Sequence, residues 1–294
     1  MNILSLGDLL LDVVVRYDPL SGEADTGPDA VGTLPGGSAA NFAVQAARLG
    51  ASVRFVSRVG GDWEGEMLAR SLQLEGVEAS VRTVQEAATG RVLVMVDDAG
   101  HRRMWSYPGA SSTLNPEDLE PEWFSHLDAF HLTGYSFLRD GPRAAALHAL
   151  DLARSGGSPL CTLDPNPPHL IEDYGPTRYR DLLVRLQFDI IFPNLEEGKL
   201  LSGEEKPEEI AASLLDISPM VVLTLGEHGC IVATQAGTLK VSAAQVDRVV
   251  DVTGAGDAFA AGFVVEYLKS RDPRQAAIAA NMTAGEVVRR VGAR

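Results

Sequence analysis

Asp257 closes the run Asp251-Val252-Thr253-Gly254-Ala255-Gly256-Asp257, and the apolar sequence Ala258-Phe259-Ala260-Ala261-Gly262-Phe263 follows at once. Gly254 and Gly256 allow backbone conformations in which successive amides point into one space, and the apolar run predicts a helix whose positive end adds to the same field. Such a run is a candidate anion hole for a phosphate, and a carboxylate beside it can accept a hydroxyl proton. The plainer alternative is a glycine-rich turn in which Asp257 caps the helix.

Three further clusters carry polar chemistry. Gly36-Gly37-Ser38-Ala39-Ala40-Asn41 opens a predicted helix over Ala39 to Leu49. The two glycines let a ligand approach the backbone, and Asn41 can both donate to and accept from hydroxyls; a tight turn with an interior Asn is the alternative. Asn194-Leu195-Glu196-Glu197 follows the strand-like Ile190-Ile191-Phe192. Asn194 can cap the next helix, and Glu197 can hold water around a magnesium ion beside a nucleotide or belong to a solvated acidic face. Thr224-Leu225-Gly226-Glu227-His228-Gly229 forms a turn at the C-terminal end of a strand, where open α/β sheets place ligands, though a simple hairpin reads the same way. The chain has no G-x-x-x-x-G-K-[ST] loop, no paired H-R-D and D-F-G, and no G-x-G-x-x-G after its first strand. A phosphate-binding chain without them uses another nucleotide-binding solution.

The elements that must position these residues alternate along the chain. Strand-like runs occur at Ile3 to Leu6, Val53 to Ser57, Ala129 to Leu132, Leu160 to Leu163, Ile190 to Phe192, Val221 to Thr224 and Cys230 to Ala233. Helical patterns lie between them, such as Trp63 to Glu75 and Pro142 to Ser155, each with glycine just beyond. This is the pattern of a parallel sheet covered by helices on both faces. Two regions break it: Asp12 to Leu34, which begins with Val13-Val14-Val15, and Val81 to Tyr107, which reads as a hairpin turning at Asp98-Ala99-Gly100. They predict a small antiparallel sheet that serves as a lid.

Composition narrows the setting. The 294 residues carry a formal charge of −15, which repels nucleic acid and anionic membrane alike. No apolar run approaches a membrane span. Cys161 and Cys230, the only cysteines, make neither a disulfide framework nor a zinc site and read as buried thiols of a cytoplasmic protein.

Gly36 to Gly65 and Asp251 to Phe263 resemble the two signature regions of the ribokinase-like carbohydrate kinases, the pfkB family, and the resemblance runs over essentially the whole chain. It implies a three-layer α/β/α sandwich over 1–294 with a mostly parallel central sheet, and a β-sheet lid from about 12–35 and 81–108. It implies an ATP-dependent sugar kinase in which Asp257 takes the acceptor's proton and the amides of Gly254, Ala255 and Gly256 stabilise the transferring phosphoryl group. Asp12, Gly36, Gly37 and Asn41 would hold the sugar. Asn194, Thr224, Gly226, Gly229 and Asn281 would hold ATP, Glu197 would order Mg2+ through water, and Asp251 and Thr253 match a monovalent-cation site, K+ in some members.

The departures bear on the acceptor. Leu10 stands where ribokinases carry an Asn, so Gly7-Asp8-Leu9-Leu10-Leu11-Asp12 is closer to fructokinases and 2-keto-3-deoxygluconate kinases. Asp164-Pro165-Asn166-Pro167-Pro168 lacks the Arg that often follows in those kinases, a role open to Arg102 or Arg103. A nucleoside kinase of the same fold is the alternative, with Phe42, Trp105, Tyr107 and Tyr135 available to stack a base; a non-catalytic sugar-binding regulator would need no base such as Asp257. Val13 and Val15 on one face, and Val92, Val94 and Val96 alternating with Leu93 and Met95, give the lid two apolar faces and predict a homodimer through it.

Overall fold

In the computed structural model, which describes residues 1–17, 31–96 and 102–294, the chain opens with β1 (Asn2–Leu6), β2 (Leu10–Arg16), β3 (Val31–Gly36), α1 (Ser38–Arg48), β4 (Ser52–Gly60) and α2 (Trp63–Leu74). β5 (Glu78–Val84), β6 (Gly90–Val96), β7 (Arg102–Tyr107), β8 (Ala129–Thr133), α3 (Asp140–Ser155), β9 (Leu160–Asp164), α4 (Pro168–Tyr174) and α5 (Pro176–Leu186) follow. The remainder is β10 (Ile190–Ile191), α6 (Leu195–Ser202), α7 (Pro207–Ser213), β11 (Met220–Thr224), β12 (Cys230–Thr234), β13 (Gly237–Val241), α8 (Ala255–Ser270) and α9 (Pro273–Val287).

The large sheet has nine strands in the order β13-β12-β11-β10-β9-β8-β1-β4-β5. From β11 to β5 every pairing is parallel. Ile3 to Leu6 and every residue of β8 are buried, as strands covered on both faces must be. One face packs on α1, α2, α8 and α9 through Phe42, Phe55, Leu68, Phe259 and Ala277. The other packs on α3, α5, α6 and α7 through Phe130, Leu150, Leu183, Leu201 and Ile210. Each fully buried aromatic or Leu side chain contributes about 1.5–3 kcal/mol to this three-layer arrangement.

The sheet is mostly parallel as expected, with its antiparallel part at one end, and one boundary of the lid is corrected. β12 runs antiparallel to β11, joined by the tight Leu225–Gly229 turn, and β13 continues the antiparallel end. Val81 to Val84 belong to β5, the edge of the large sheet beside β4, and not to the small one. They are strand-like residues directly before the hairpin, and sequence alone does not show that their partner is β4.

The small sheet has the order β3-β2-β6-β7. β2 pairs antiparallel with β3 but parallel with β6, because the α1-β4-α2-β5 excursion brings the chain back in the original direction. The sheet is therefore mixed. The predicted hairpin is present from Arg91↔Tyr107 to Val96↔Arg102; its turn at Asp98 to Gly100 lies outside the described residues, as do residues 18–30. The register puts Asp12, Val92 and Ser106 on one face and Val13, Leu93 and Trp105 on the other.

Candidate active site

Gly37 and Gly254 make the two backbone turns on which the site depends. Gly37 precedes α1 with φ 102°, and a Cβ there would lie 2.1 Å from the Asp8 carbonyl oxygen. Gly254 precedes α8 with φ 75°, and a Cβ would lie 2.3 Å from that of Ala293. Both conformations belong to glycine. Asp251 braces the second turn: its Oδ1 accepts from the Thr253 amide at 2.8 Å and hydroxyl at 2.7 Å, and its Oδ2 from the Gly292 amide at 3.0 Å.

These turns bring the starts of α1 and α8 together over one cleft of about 490 Å³. Asp257, in the first turn of α8, is buried and takes two side-chain hydrogen bonds from α1. The Ser38 hydroxyl donates to Oδ1 at 2.5 Å and the Asn41 amide nitrogen to Oδ2 at 2.8 Å. Asn166 Nδ2 in turn donates to Ser38 Oγ at 3.2 Å. Burial pushes the Asp257 carboxyl upward, while the Ser38 and Asn41 donors and the Arg294 charge pull it back towards the ionised form a base requires. Asp12, from β2, faces the same space, its pKa raised to about 6 by burial, against the pull of Arg294 and with the push of Asp257 and Asp251.

At the other end, Asn194 and Glu197 form a reciprocal cap on α6. Asn194 Oδ1 accepts from the Glu197 amide at 2.9 Å, and Glu197 accepts from the Asn194 backbone at 2.9 Å and side chain at 2.7 Å. Glu197 is only 2% exposed and lines the cleft, so it does not belong to a solvated face. Asp164, at the end of β9, is raised well above the carboxylate range by burial and by Glu197 and Asp257, and burial raises Glu197 also. The carboxylate oxygens of Glu197 and Asp164 are hard donors of the kind that suit Mg2+, and His169 lines the same cleft. Among the described residues no group of three or more His, Cys, Asp or Glu side chains is placed to hold a metal.

Of the residues predicted from the sequence, Asp12, Gly37, Asn41, Asn194, Glu197, Thr224, Thr253, Gly254, Gly256 and Asp257 line this cleft. Gly36, Ala255, Gly226, Gly229, Asp251 and Asn281 do not. Asn281 is turned inward, its amide donating to the Ala277 carbonyl at 2.9 Å, and a Cβ at Gly229 would lie 2.0 Å from the Val241 carbonyl oxygen. Asp8, Arg139 and Asp164 line the cleft without having been expected to, and so does Tyr135, which was expected only as a base-stacking residue of a nucleoside kinase; Asp8 and Asp164 sit inside the Gly7–Asp12 and Asp164–Pro168 runs. A larger groove of about 720 Å³ lies by Asp62, Trp63 and Arg70, but Asp62 there caps α2 and bonds Thr89.

A mostly parallel sheet whose strand ends lead to a glycine turn, a helix start and a buried carboxylate is an arrangement suited to moving a phosphoryl group to a hydroxyl. The pfkB carbohydrate kinase family matches residues 1–294, and the chain belongs to it. The Arabidopsis thaliana protein named "Probable fructokinase-4" is 31% identical over 277 residues, 92% of this chain and 83% of that one. The Bacillus subtilis 2-dehydro-3-deoxygluconokinase is 32% identical over 235 residues, 78% of this chain and 72% of its own. Among solved structures, the adenosine kinase of Sinorhizobium meliloti superposes with a TM-score of 0.91 at 26% identity, over 100% of this chain and 95% of that one. An E. coli protein described as a ribokinase II, in complex with ATP and Mg2+, gives 0.86 at 25%, over 99% and 94%.

Proposed function

We propose that this protein transfers the γ-phosphoryl group of ATP to a hydroxyl of a sugar, with fructose or 2-dehydro-3-deoxygluconate as the acceptors to test before ribose. The carrying observation is Asp257, buried at the start of α8, held by Ser38 and Asn41, and in one cleft with Asp12. The acceptor binds at Asp12, Gly36, Gly37 and Asn41, where carboxylate and amide meet its hydroxyls. Asp257 takes the proton of the attacking hydroxyl as its oxygen bonds to phosphorus, the bond to the β-phosphate oxygen breaks, and ADP leaves. The amides of Gly254, Ala255 and Gly256 face the charge on the transferring group. Asn194 and Thr224, which line the cleft, meet the phosphates; Gly226, Gly229 and Asn281, which lie outside it, are assigned to the nucleotide by the family resemblance alone. Glu197 and Asp164 would hold Mg2+, which when bound neutralises phosphate charge.

The small sheet serves as a lid: Val92, Met104 and Ser106 line the cleft from it. Its outer face leaves Val31, Leu93, Trp105 and Tyr107 38–59% exposed, and a second copy covering this face in a symmetric homodimer accounts for them. A potassium ion is assigned to the loop where Asp251 meets Thr253 and Gly292. The two buried free thiols support a cytoplasmic setting, and no helix among the described residues is long and apolar enough to cross a membrane.

The nucleoside reading is less well supported. Trp105 and Tyr107 alternate to the outer face, and Phe42 is buried against His131 with ring centroids 3.7 Å apart; only Tyr135 of the four lines the cleft. Arg103 lies on the outer face by register and Arg102 at a position on the inner one, so an acidic acceptor would draw on Arg102 of the lid or on Arg139, which lines the cleft. A coupled ADP-release assay over D-fructose, 2-dehydro-3-deoxygluconate, D-ribose and adenosine tests the reading: a sugar must stimulate release most, and preference for adenosine would contradict it.

A further inference from the structure

Arg294 belongs to none of the motifs above, yet its side chain reaches the acceptor end of the cleft. Its Nε donates to Asn41 Oδ1 at 2.9 Å and its Nη2 to the Gly36 carbonyl at 2.6 Å. Nη1 is buried with no hydrogen-bond partner among the described residues. The two residues before it are tied down: the Ala293 carbonyl accepts from Gln45 Nε2 at 3.0 Å, and the Gly292 amide donates to Asp251 Oδ2 at 3.0 Å.

We propose that Arg294 is a positioning residue of the acceptor site, fixing the Asn41 amide and the Gly36 loop and offsetting the charge of Asp12, and that it thereby sets acceptor affinity. The proposal rests on the reading of Asp12, Asn41 and Asp257 given above. An amide has one accepting and one donating end. With Oδ1 held by Arg294, the Nδ2 of Asn41 must face Asp257, to which it donates at 2.8 Å; reversed, it would set a carbonyl against a carboxylate. The second hydrogen bond pins Gly36, whose Cα lies so near Asp12 that a Cβ would stand 2.4 Å from Oδ1. One guanidinium thus fastens three parts of the site, the end of β3, α1 and, through Asn41, α8.

The charges agree with this geometry. Asp12 feels Asp257 and Asp251 as like charges and Arg294 as the opposing one. Arg294 itself, lowered to about 10 by burial and supported by Asp12, Asp257 and Glu75 against Arg48, stays protonated at neutral pH. Losing its charge would raise the pKa values of Asp12 and Asp257 together, moving the acid limb of kcat/KM to higher pH.

Steady-state kinetics on Arg294→Lys and Arg294→Gln, with whichever of D-fructose, 2-dehydro-3-deoxygluconate and D-ribose the wild type turns over fastest, test the proposal. Both variants should raise the acceptor KM by about 10- to 100-fold, the worth of hydrogen bonds to a charged group, and leave the ATP KM within about twofold. Gln should also move the acid limb upward, whereas Lys, which keeps the charge, should restore it. Lys preserves a cation in the buried slot and keeps the test open where Gln lowers the thermal midpoint. An unchanged acceptor KM in the folded Lys variant, or an equal rise in both KM values, overturns the proposal while the kinase reading stands. A wild type that turns over none of the three sugars contradicts that reading and the proposal with it.

Discussion

The first turns of α8 and α6 each put a buried carboxylate into the same cleft, and they hold it by opposite means. Glu197 takes its hydrogen bonds from Asn194, three residues away, in a cap that α6 makes for itself. Asp257 takes them from Ser38 and Asn41, 219 and 216 residues away in sequence. The α6 carboxylate is therefore set by local structure, and its geometry forms whenever that helix forms. The α8 carboxylate is set by the docking of α1 on α8, so the state of the proposed base reports on the whole of the proposed acceptor end. Substitutions at the α8 end should change chemistry with little cost in stability, and those at the α6 end should mix the two.

Asp257→Asn is expected to have the largest effect, a loss of about 10²–10⁴ in kcat for removal of a general base. Its thermal midpoint should not fall, because the neutral amide is cheaper to bury than the carboxylate. Kinetics and calorimetry on the same sample check this, and a fall in midpoint as large as that of an α6 cap variant would break the comparison.

Next come Asp12→Ala and Asn41→Ala, which should each weaken acceptor binding by about 1–3 kcal/mol and leave ATP binding nearly as it is. Isothermal titration with each ligand separates the two, and equal losses for both would remove these residues from the acceptor end. The pH dependence sharpens the point. Asp12 accepts hydroxyls in its ionised form, so acceptor affinity should be full above its raised pKa of about 6 and decline as pH falls through it. Affinity that rises on acidification would assign the opposite protonation state.

At the α6 end, Asn194→Ala removes the cap and should cost about 1 kcal/mol of stability, read from a urea denaturation midpoint, together with a higher Mg2+ requirement for turnover. A variant as stable as wild type would show that Glu197 does not depend on its cap. The smallest catalytic effect is expected from Leu93→Glu on the outer face of the small sheet, which should convert a dimer to monomer in light scattering and leave turnover unchanged. A monomeric wild type would remove the second copy from the account.

The same contrast explains what the sequence made legible. Asn194-x-x-Glu197 and the glycines before α1 and α8 are patterns of a few residues, and local backbone demands put them where they are. The parallel strands were legible because burial on both faces leaves continuous apolar runs such as Val221 to Leu223. The end of β5 was read into the lid because Val81 to Val84 run straight into the hairpin in sequence, while their pairing with β4 is tertiary. The parallel pairing of β2 with β6 follows from an excursion through four elements, which no short window contains. Ser38 lay inside a quoted motif, but its bond to Asp257 is purely tertiary. Arg294 had no signal, since nothing around it in sequence marks a side chain that will meet α1.

The most direct measurement is phosphorus NMR of the wild-type protein with MgATP and each sugar of the panel in turn. A new phosphomonoester resonance should grow in equal amount with ADP, only when the acceptor sugar is present, and should be nearly absent with Asp257→Asn. ADP formed without any phosphomonoester for every sugar, or the same product from Asp257→Asn at more than about a tenth of the wild-type rate, would contradict Asp257 as the base of sugar phosphorylation.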